Sequence, residues 1–356
     1  MLPNSTIKAE ALANQMNWQQ DSVTSRQGVF ESAVYLDEWN TAWSTIAVEL
    51  MLRRAVEQGP CLFKDLERGD RSGRASLERQ FHAVRSLLSR ACPHLEYSPL
   101  LSRVIRTAHD LGLEFQPLSK PSDLWLSPGK WAKPDLMSQA KVFDELLSRV
   151  SAEGRIPSVA LETRRWRAQA DADFRSATTY LDACLRDASQ LFVLRMNLGD
   201  WGALLADRAR LPLVGDVQDI KRRFSRFAKE LSRGAPQATV GYLARLDFGP
   251  QKGFFFHVVI LLRAAEARRA VDWCERLGSR WVALSPDGQG AFTGCNWVFH
   301  DPAAKIGLID SGSAADRVAM ERFVLSYLTL PSQYARVRLN ARQRVFSRGT
   351  LPKEGS

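Results

Sequence analysis

The sequence predicts an α+β protein, a helical N-terminal part followed by a domain with a central antiparallel sheet flanked by helices. Three observations predict it. Residues 29–58 carry apolar side chains at helical spacing (Leu36, Trp39, Trp43, Ile46, Leu50) and stop at Gly59-Pro60. Residues 238–249 (ATVGYLARLDFG) and 253–262 (GFFFHVVILL) read instead as two strands joined by the turn GPQKG, which makes an antiparallel hairpin. The net charge of +10 also divides unevenly: residues 1–150 hold 18 Lys+Arg against 18 Asp+Glu, and residues 151–356 hold 31 against 21. An excess confined to one part of a chain is the footprint expected for binding a polyanion, because each neutralised phosphate releases condensed counterions.

A chain of 356 residues with 45% apolar and 25% charged side chains has room for two domains and a well-buried core. No run of eighteen apolar residues occurs, and MLPNSTIKAEALANQ has neither a basic nor an apolar leader segment, so a soluble, cytoplasmic protein is expected. The five cysteines, Cys61, Cys92, Cys184, Cys274 and Cys295, are odd in number and never form a Cys-x-x-Cys pair, which supports neither a disulfide framework nor a zinc ribbon.

In chain order, helical patterns recur near 75–91, 98–112 and 136–151, separated by Pro, Gly and Ser clusters. The longest break is QPLSKPSDLWLSPGKWAKP. Residues 1–150 therefore read as an all-helical region of unassigned role, and 151–190 as a helical connector with its helix near 162–188. Residues 191–198 (LFVLRMNL) read as a buried strand ending at Gly199-Asp200. The helix that follows, 221–234, sets Ile220, Phe224, Phe227 and Leu231 on one face and Arg222, Arg226, Lys229 and Arg233 on another. That stripe suits either a solvated surface or a phosphate track. Along 253–262, Phe255, His257, Val259 and Leu261 alternate with Phe254, Phe256, Val258, Ile260 and Leu262, which predicts a central strand with layers on both sides. A helix at 264–278, short strands and turns from Trp281 to Pro302, and a last helix at 314–329 complete the domain. An arginine-rich tail follows, with Arg336, Arg338, Arg342, Arg344 and Arg348 and no acid across 331–350; Phe346 among them suits base stacking on a single strand.

Read from the residues alone, His257 and Asp247 form either half of a metal site or a hydrogen-bonded core histidine beside a turn carboxylate. The order of elements decides more. A strand LFVLRMNL, a basic helix, a strand ending in Asp247, a strand with His257 and a terminal helix holding Tyr327 resemble rolling-circle replication initiators of the HUH type. The phrases VGYLARLDFG, GFFFHVVILL, KIGLI, YLTLPSQY and RVFSRG are similar to the inovirus-type replication protein family, which includes prophage-borne proteins of the YagK/YfjJ type. The resemblance covers about 190–350 and leaves 1–150 without a counterpart.

The resemblance implies a replication-initiator-like domain over 191–350, in which a His-hydrophobic-His strand holds Mg²⁺ or Mn²⁺ beside a nucleophilic tyrosine. On that pattern His257 and Asp247 would hold the metal and Tyr327 would attack DNA, with Tyr334, in a looser and more basic setting, as an alternative nucleophile. Phe255 stands where the first histidine is expected, and Leu330 where a lysine is expected. Two readings of function stay open: a tyrosine-dependent nickase acting on single-stranded DNA, and a DNA-binding relative without cleavage. Host replication proteins would be further partners, and a structural interaction protein with no nucleic-acid role is the third class.

Overall fold

A computed structural model describes residues 29–59, 83–88, 91–112, 134–200, 217–233, 238–249, 252–285, 288, 290–294, 307–339 and 344–350. Arg342, Cys61, Cys295, most of the long break at 116–134, the ends of the 75–91 pattern and residues 1–28 lie outside that set. The chain is α+β. Its elements are α1 (Val29–Gln58), β1 (Leu95–Tyr97), α2 (Pro99–Asp110), α3 (Pro134–Gly154), α4 (Pro157–Asp187), β2 (Gln190–Gly199), α5 (Val217–Ser232), β3 (Thr239–Gly249), β4 (Gly253–Arg263), α6 (Ala270–Ala283), β5 (Ala291–Gly294) and β6 (Leu308–Asp310). A last helix, α7, is α-helical over Ala314–Ala319, π-helical over Met320–Leu325 and α-helical again over Ser326–Thr329; β7 (Ala335–Val337) and β8 (Phe346–Arg348) follow.

The fold comprises two compact units, and the division falls inside α4, within the predicted connector. One unit holds Tyr35–Gln169 and Ser332–Arg336, the other Met1–Val34, Ala170–Pro331 and Val337–Ser356, so that the start of α1 belongs with the second. In the first, Leu52, Leu100, Leu101, Val104, Leu146, Leu147 and Val150 are buried, and Ser98 caps α2 by accepting from the Leu101 amide. Among the described residues the expectation of an all-helical region is corrected at Leu95–Tyr97, which is extended and pairs with β7 in a two-stranded sheet.

The second unit is built on a six-stranded sheet of order β5-β2-β4-β3-β8, with β6 also paired to β2. Strand β4 is central and antiparallel to both neighbours, with Asn197, His257 and Arg245 in one row across β2, β4 and β3. Side chains that face each other across strands share a face, so alternation along β4 fixes two different surfaces. On one, Val193, Leu243, Val259 and Leu261 pack with Tyr180, Leu181 and Cys184 of α4 and with Met320, Val324, Leu325 and Leu328 of α7. On the other, Phe256 stacks on Phe224 of α5 with ring centroids 4.0 Å apart, and Phe227 meets Trp281 edge-on at 6.0 Å.

Helix α6 starts after a 3₁₀ segment, Ala264–Arg269, and runs through Trp281 to Ala283, where strands and turns were expected. The cause is burial: Trp281 is fully enclosed and its indole N–H donates to the Gly199 carbonyl at 2.9 Å. Phe256→Ala removes a ring that is 4% exposed and stacked, and is expected to cost about 3–5 kcal/mol in urea denaturation. A loss under about 1 kcal/mol would show that α5 does not depend on this pairing.

Candidate functional site

The site forms where the face of the sheet beneath α7 turns from apolar to polar. Along β4 the sequence on that face is Leu261, Val259, His257, Phe255; alongside it run Val193, Arg195, Asn197 of β2 and Leu243, Arg245, Asp247 of β3. Tyr327, in the last turn of α7, meets the polar end. Its hydroxyl lies 3.5 Å from His257 Nε2, the rings approaching edge-to-face at 5.2 Å. The π segment ends two residues before it, at Leu325, and the Ser326 hydroxyl just beyond donates to the Glu321 carbonyl at 2.7 Å. Such insertions recur at functional sites because they change the phase of the side chains beyond them.

His257 is positioned by both ring nitrogens. Nδ1 lies 2.6 Å from Asn197 Oδ1, a contact that requires the proton on Nδ1 and leaves the Nε2 lone pair facing the Tyr327 hydroxyl. Asp247 Oδ2 stands 3.5 Å from Nε2. Burial depresses the imidazole pKa to about 4, with the Asp247 carboxylate opposing the shift and the charges of Arg245 and Lys252 adding to it. Burial alone would raise the Asp247 carboxyl, but Arg245 and His257 outweigh it and hold the group well below the usual carboxylate range. The pair at neutral pH is therefore a neutral imidazole beside an ionised carboxylate.

Two guanidinium groups lie against the tyrosine ring. The Arg195 guanidinium lies 4.8 Å from the Tyr327 ring centroid and that of Arg245 5.9 Å, with Arg245 Nη1 donating to the Tyr327 carbonyl at 3.2 Å. Lys252 Nζ stands 5.1 Å from the Phe255 ring, which itself meets His257 edge-on.

The donor set does not fit Mg²⁺ or Mn²⁺. Asp247 Oδ2 accepts from Arg245 Nη2, and Oδ1 accepts from the Phe248 amide at 2.9 Å, so both oxygens are in use. Among the described residues what remains is one imidazole nitrogen, where such ions take several oxygen ligands. Phe255 fills the expected histidine position with carbon.

Thus the structure brings Tyr327, His257 and Asp247 together and places other expected residues elsewhere. Tyr334 is 2% exposed rather than loosely held at the surface. It lies in the helical unit, with Arg53 5.7 Å from its ring centroid, and burial pushes its hydroxyl pKa up. Among the tail arginines, Arg336 pairs with Glu96 at 3.1 Å and stacks on Trp166 at 3.7 Å, while Arg348 donates to Ser176 and covers the Tyr180 ring. Arg338 and Arg344 are exposed. Phe346 cannot stack on bases: β8 pairs with β3, and the ring is 7% exposed within the core. Arg222, Arg226, Lys229 and Arg233 are all exposed on α5, Arg222 paired with Asp219, but α5 covers the face of the sheet opposite Tyr327. Around the β8 edge, Lys221 Nζ reaches the Arg344 carbonyl at 3.4 Å, so basic residues continue from the stripe to the edge strand beside Arg245.

Arg195, Asn197, Arg245 and Lys252 were not singled out in the sequence, although LFVLRMNL and LARLDF each interrupt an apolar strand with polar residues two positions apart. No family model, curated protein or solved structure matches the chain.

The His257 arrangement sets a pH dependence. Between the ordinary value of 6.5 and about 4, the unfolded chain binds a proton that the folded chain refuses. Stability therefore falls as the pH drops through that window, by at most roughly 3 kcal/mol. Denaturation at pH 7 and pH 4 should show this loss in the native protein and a smaller one in His257→Gln. An imidazole resonance titrating near 6.5 in the folded state would overturn the assignment.

Proposed function

We propose that the sheet unit takes a single strand of DNA to Tyr327, and that Tyr327 attacks a phosphodiester there to leave a 5′-phosphotyrosine and a free 3′-hydroxyl. This is the reaction type of the replication initiators that the sequence resembles. The observation that carries the reading is the convergence of Tyr327, His257 and Asp247, three residues from three separate elements, within 3.5 Å contacts at a partly buried tyrosine. A nucleophile and a base in hydrogen-bond reach, with a third group orienting the base from its other nitrogen, here Asn197 at Nδ1, is the arrangement that nucleophilic catalysis needs. In this reading the protein acts in the cytoplasm in copying phage or prophage DNA, and host replication proteins extend the 3′-hydroxyl.

Exposed Arg226, Lys229 and Arg233 on α5, followed by Lys221 and Arg344 at the β8 edge, supply a basic track from one face of the sheet toward the other. Binding without cleavage is the second reading, favoured by the commitment of both Asp247 oxygens to protein donors.

On a labelled single-stranded oligonucleotide pool, Tyr327→Phe should abolish the covalent adduct seen on a denaturing gel while leaving equilibrium binding within a few-fold. Tyr334→Phe should leave the adduct unchanged. Native binding with no adduct from the unaltered protein would select the second reading. Replacing Arg226, Lys229 and Arg233 together with Gln should flatten the slope of log K against log salt by about 2, since each single-strand phosphate contact contributes about 0.7. An unchanged slope would remove α5 from the DNA track.

A further inference from the structure

We infer that the helical unit binds a small oxyanion of the phosphate class, held by Arg53 of α1, Arg167 of α4 and Tyr334 of the segment Ser332–Arg336. Nothing in this site depends on the reaction proposed at Tyr327. Three donors carry it: Arg53 Nη2, Arg167 Nε and the Tyr334 hydroxyl are each shut off from solvent and have no hydrogen-bond partner among the described residues. As whole residues Arg53 is 8% exposed and Tyr334 2%. A buried donor left unanswered costs more than an ordinary hydrogen bond returns, so such groups in a folded chain call for a partner.

The three residues share one neighbourhood. The Arg53 guanidinium lies 5.7 Å from the Tyr334 ring centroid. The Tyr334 carbonyl accepts from the Ser98 amide at 2.8 Å, and the Ser98 hydroxyl donates to Glu49, the partner of Arg53. Arg167 feels the same groups: burial lowers its pKa and the charge of Arg53 lowers it further, against Glu49, Tyr334 and Glu57. All of these residues belong to one compact unit.

What the donors lack is acceptors. Glu49 is fully enclosed, but its two oxygens already take Arg53 Nε at 3.0 Å and the Ser98 hydroxyl at 2.5 Å. Glu57 is exposed, where water screens it. A guanidinium offers only donors, and burial pushes the Tyr334 hydroxyl pKa up, so that group keeps its proton at neutral pH. The missing partner is therefore an acceptor, anionic because two guanidiniums meet one enclosed carboxylate, and small because the site is enclosed. Phosphate meets each condition: guanidinium pairs with it through parallel N–H bonds, and a tetrahedral ion has an oxygen for each of three donors. Binding there ties α1, α4 and Ser332–Arg336 together, so the ion stabilises the folded unit.

Inorganic phosphate is titrated into the full-length protein by calorimetry at neutral pH and constant ionic strength, with sulfate and acetate as comparison ions. Phosphate and sulfate should fill a single saturable site, with acetate about tenfold weaker. Tyr334→Phe and Arg167→Gln should each weaken phosphate by about tenfold, the ordinary worth of one hydrogen bond to a charged group. In phosphate-free buffer Tyr334→Phe should melt at or above the temperature of the native protein, because it deletes an unanswered hydroxyl, and its lost binding is then not lost folding. Absence of saturable phosphate binding, or unchanged affinity in both variants, would overturn the site. So would a clearly lower melting temperature for Tyr334→Phe without phosphate, since water would then already answer the hydroxyl. Acetate binding as tightly as phosphate would overturn the phosphate class.

Discussion

The sheet unit depends on keeping charged groups inside a nearly apolar layer. Strand β4 is buried along Gly253–Leu262, yet the row Asn197, His257, Arg245 crosses its middle. An isolated ion there would cost several kcal/mol, and the row survives because each member is answered: Arg245 by Asp247 and the Tyr327 carbonyl, His257 by Asn197. The register that satisfies them also fixes the site. A slip of one residue in β3 or β2 would turn Arg245 and Asp247, or Arg195 and Asn197, to the opposite face among Phe224, Phe227 and Trp281, away from His257 and Tyr327.

The same constraint divides labour between the two faces. Under α5 and α6 the packing is aromatic and shape-bound, with the Arg223–Asp200 ion pair tucked against Trp281. Under α4 and α7 the packing is aliphatic until it meets the polar row, so tyrosine, histidine and arginines gather on one face of the sheet. The helical unit answers burial in its own way, with Glu49 fully enclosed between Arg53 and Ser98.

Much of this was legible in the chain. The alternation of 253–262, the basic stripe of 221–234 and the terminal helix at 314–329 all describe elements that exist, because period and burial are local properties that residue types report. Tyr327, His257 and Asp247 were legible only through the order of elements. Arg336, Arg348, Tyr334 and Phe346 were misplaced for a shared reason: a run rich in arginine reads as a solvated tail, whereas short strands β7 and β8 draw it into the folded units, where Glu96, Trp166, Ser176 and Tyr180 provide partners. Partners distant in sequence leave no local trace. The end of α6 was misjudged likewise, since Gly199 answers the Trp281 indole from 82 residues away.

The π-helical stretch of α7 gives chain length a meaning of its own. In a helix each residue advances the side-chain direction by about 100°, so one residue more or fewer between Met320 and Leu325 re-aims everything beyond it. Tyr327 lies two residues past that stretch, while Met320 and Val324 anchor the preceding turns in the core. A single-codon deletion there could leave every polar group of the sheet intact and every anchor buried, yet carry the hydroxyl away from His257. A variant could thus keep Tyr327, His257, Asp247 and Asn197 and still lose the contact between the hydroxyl and the imidazole, and a comparison of residue types alone would not see it.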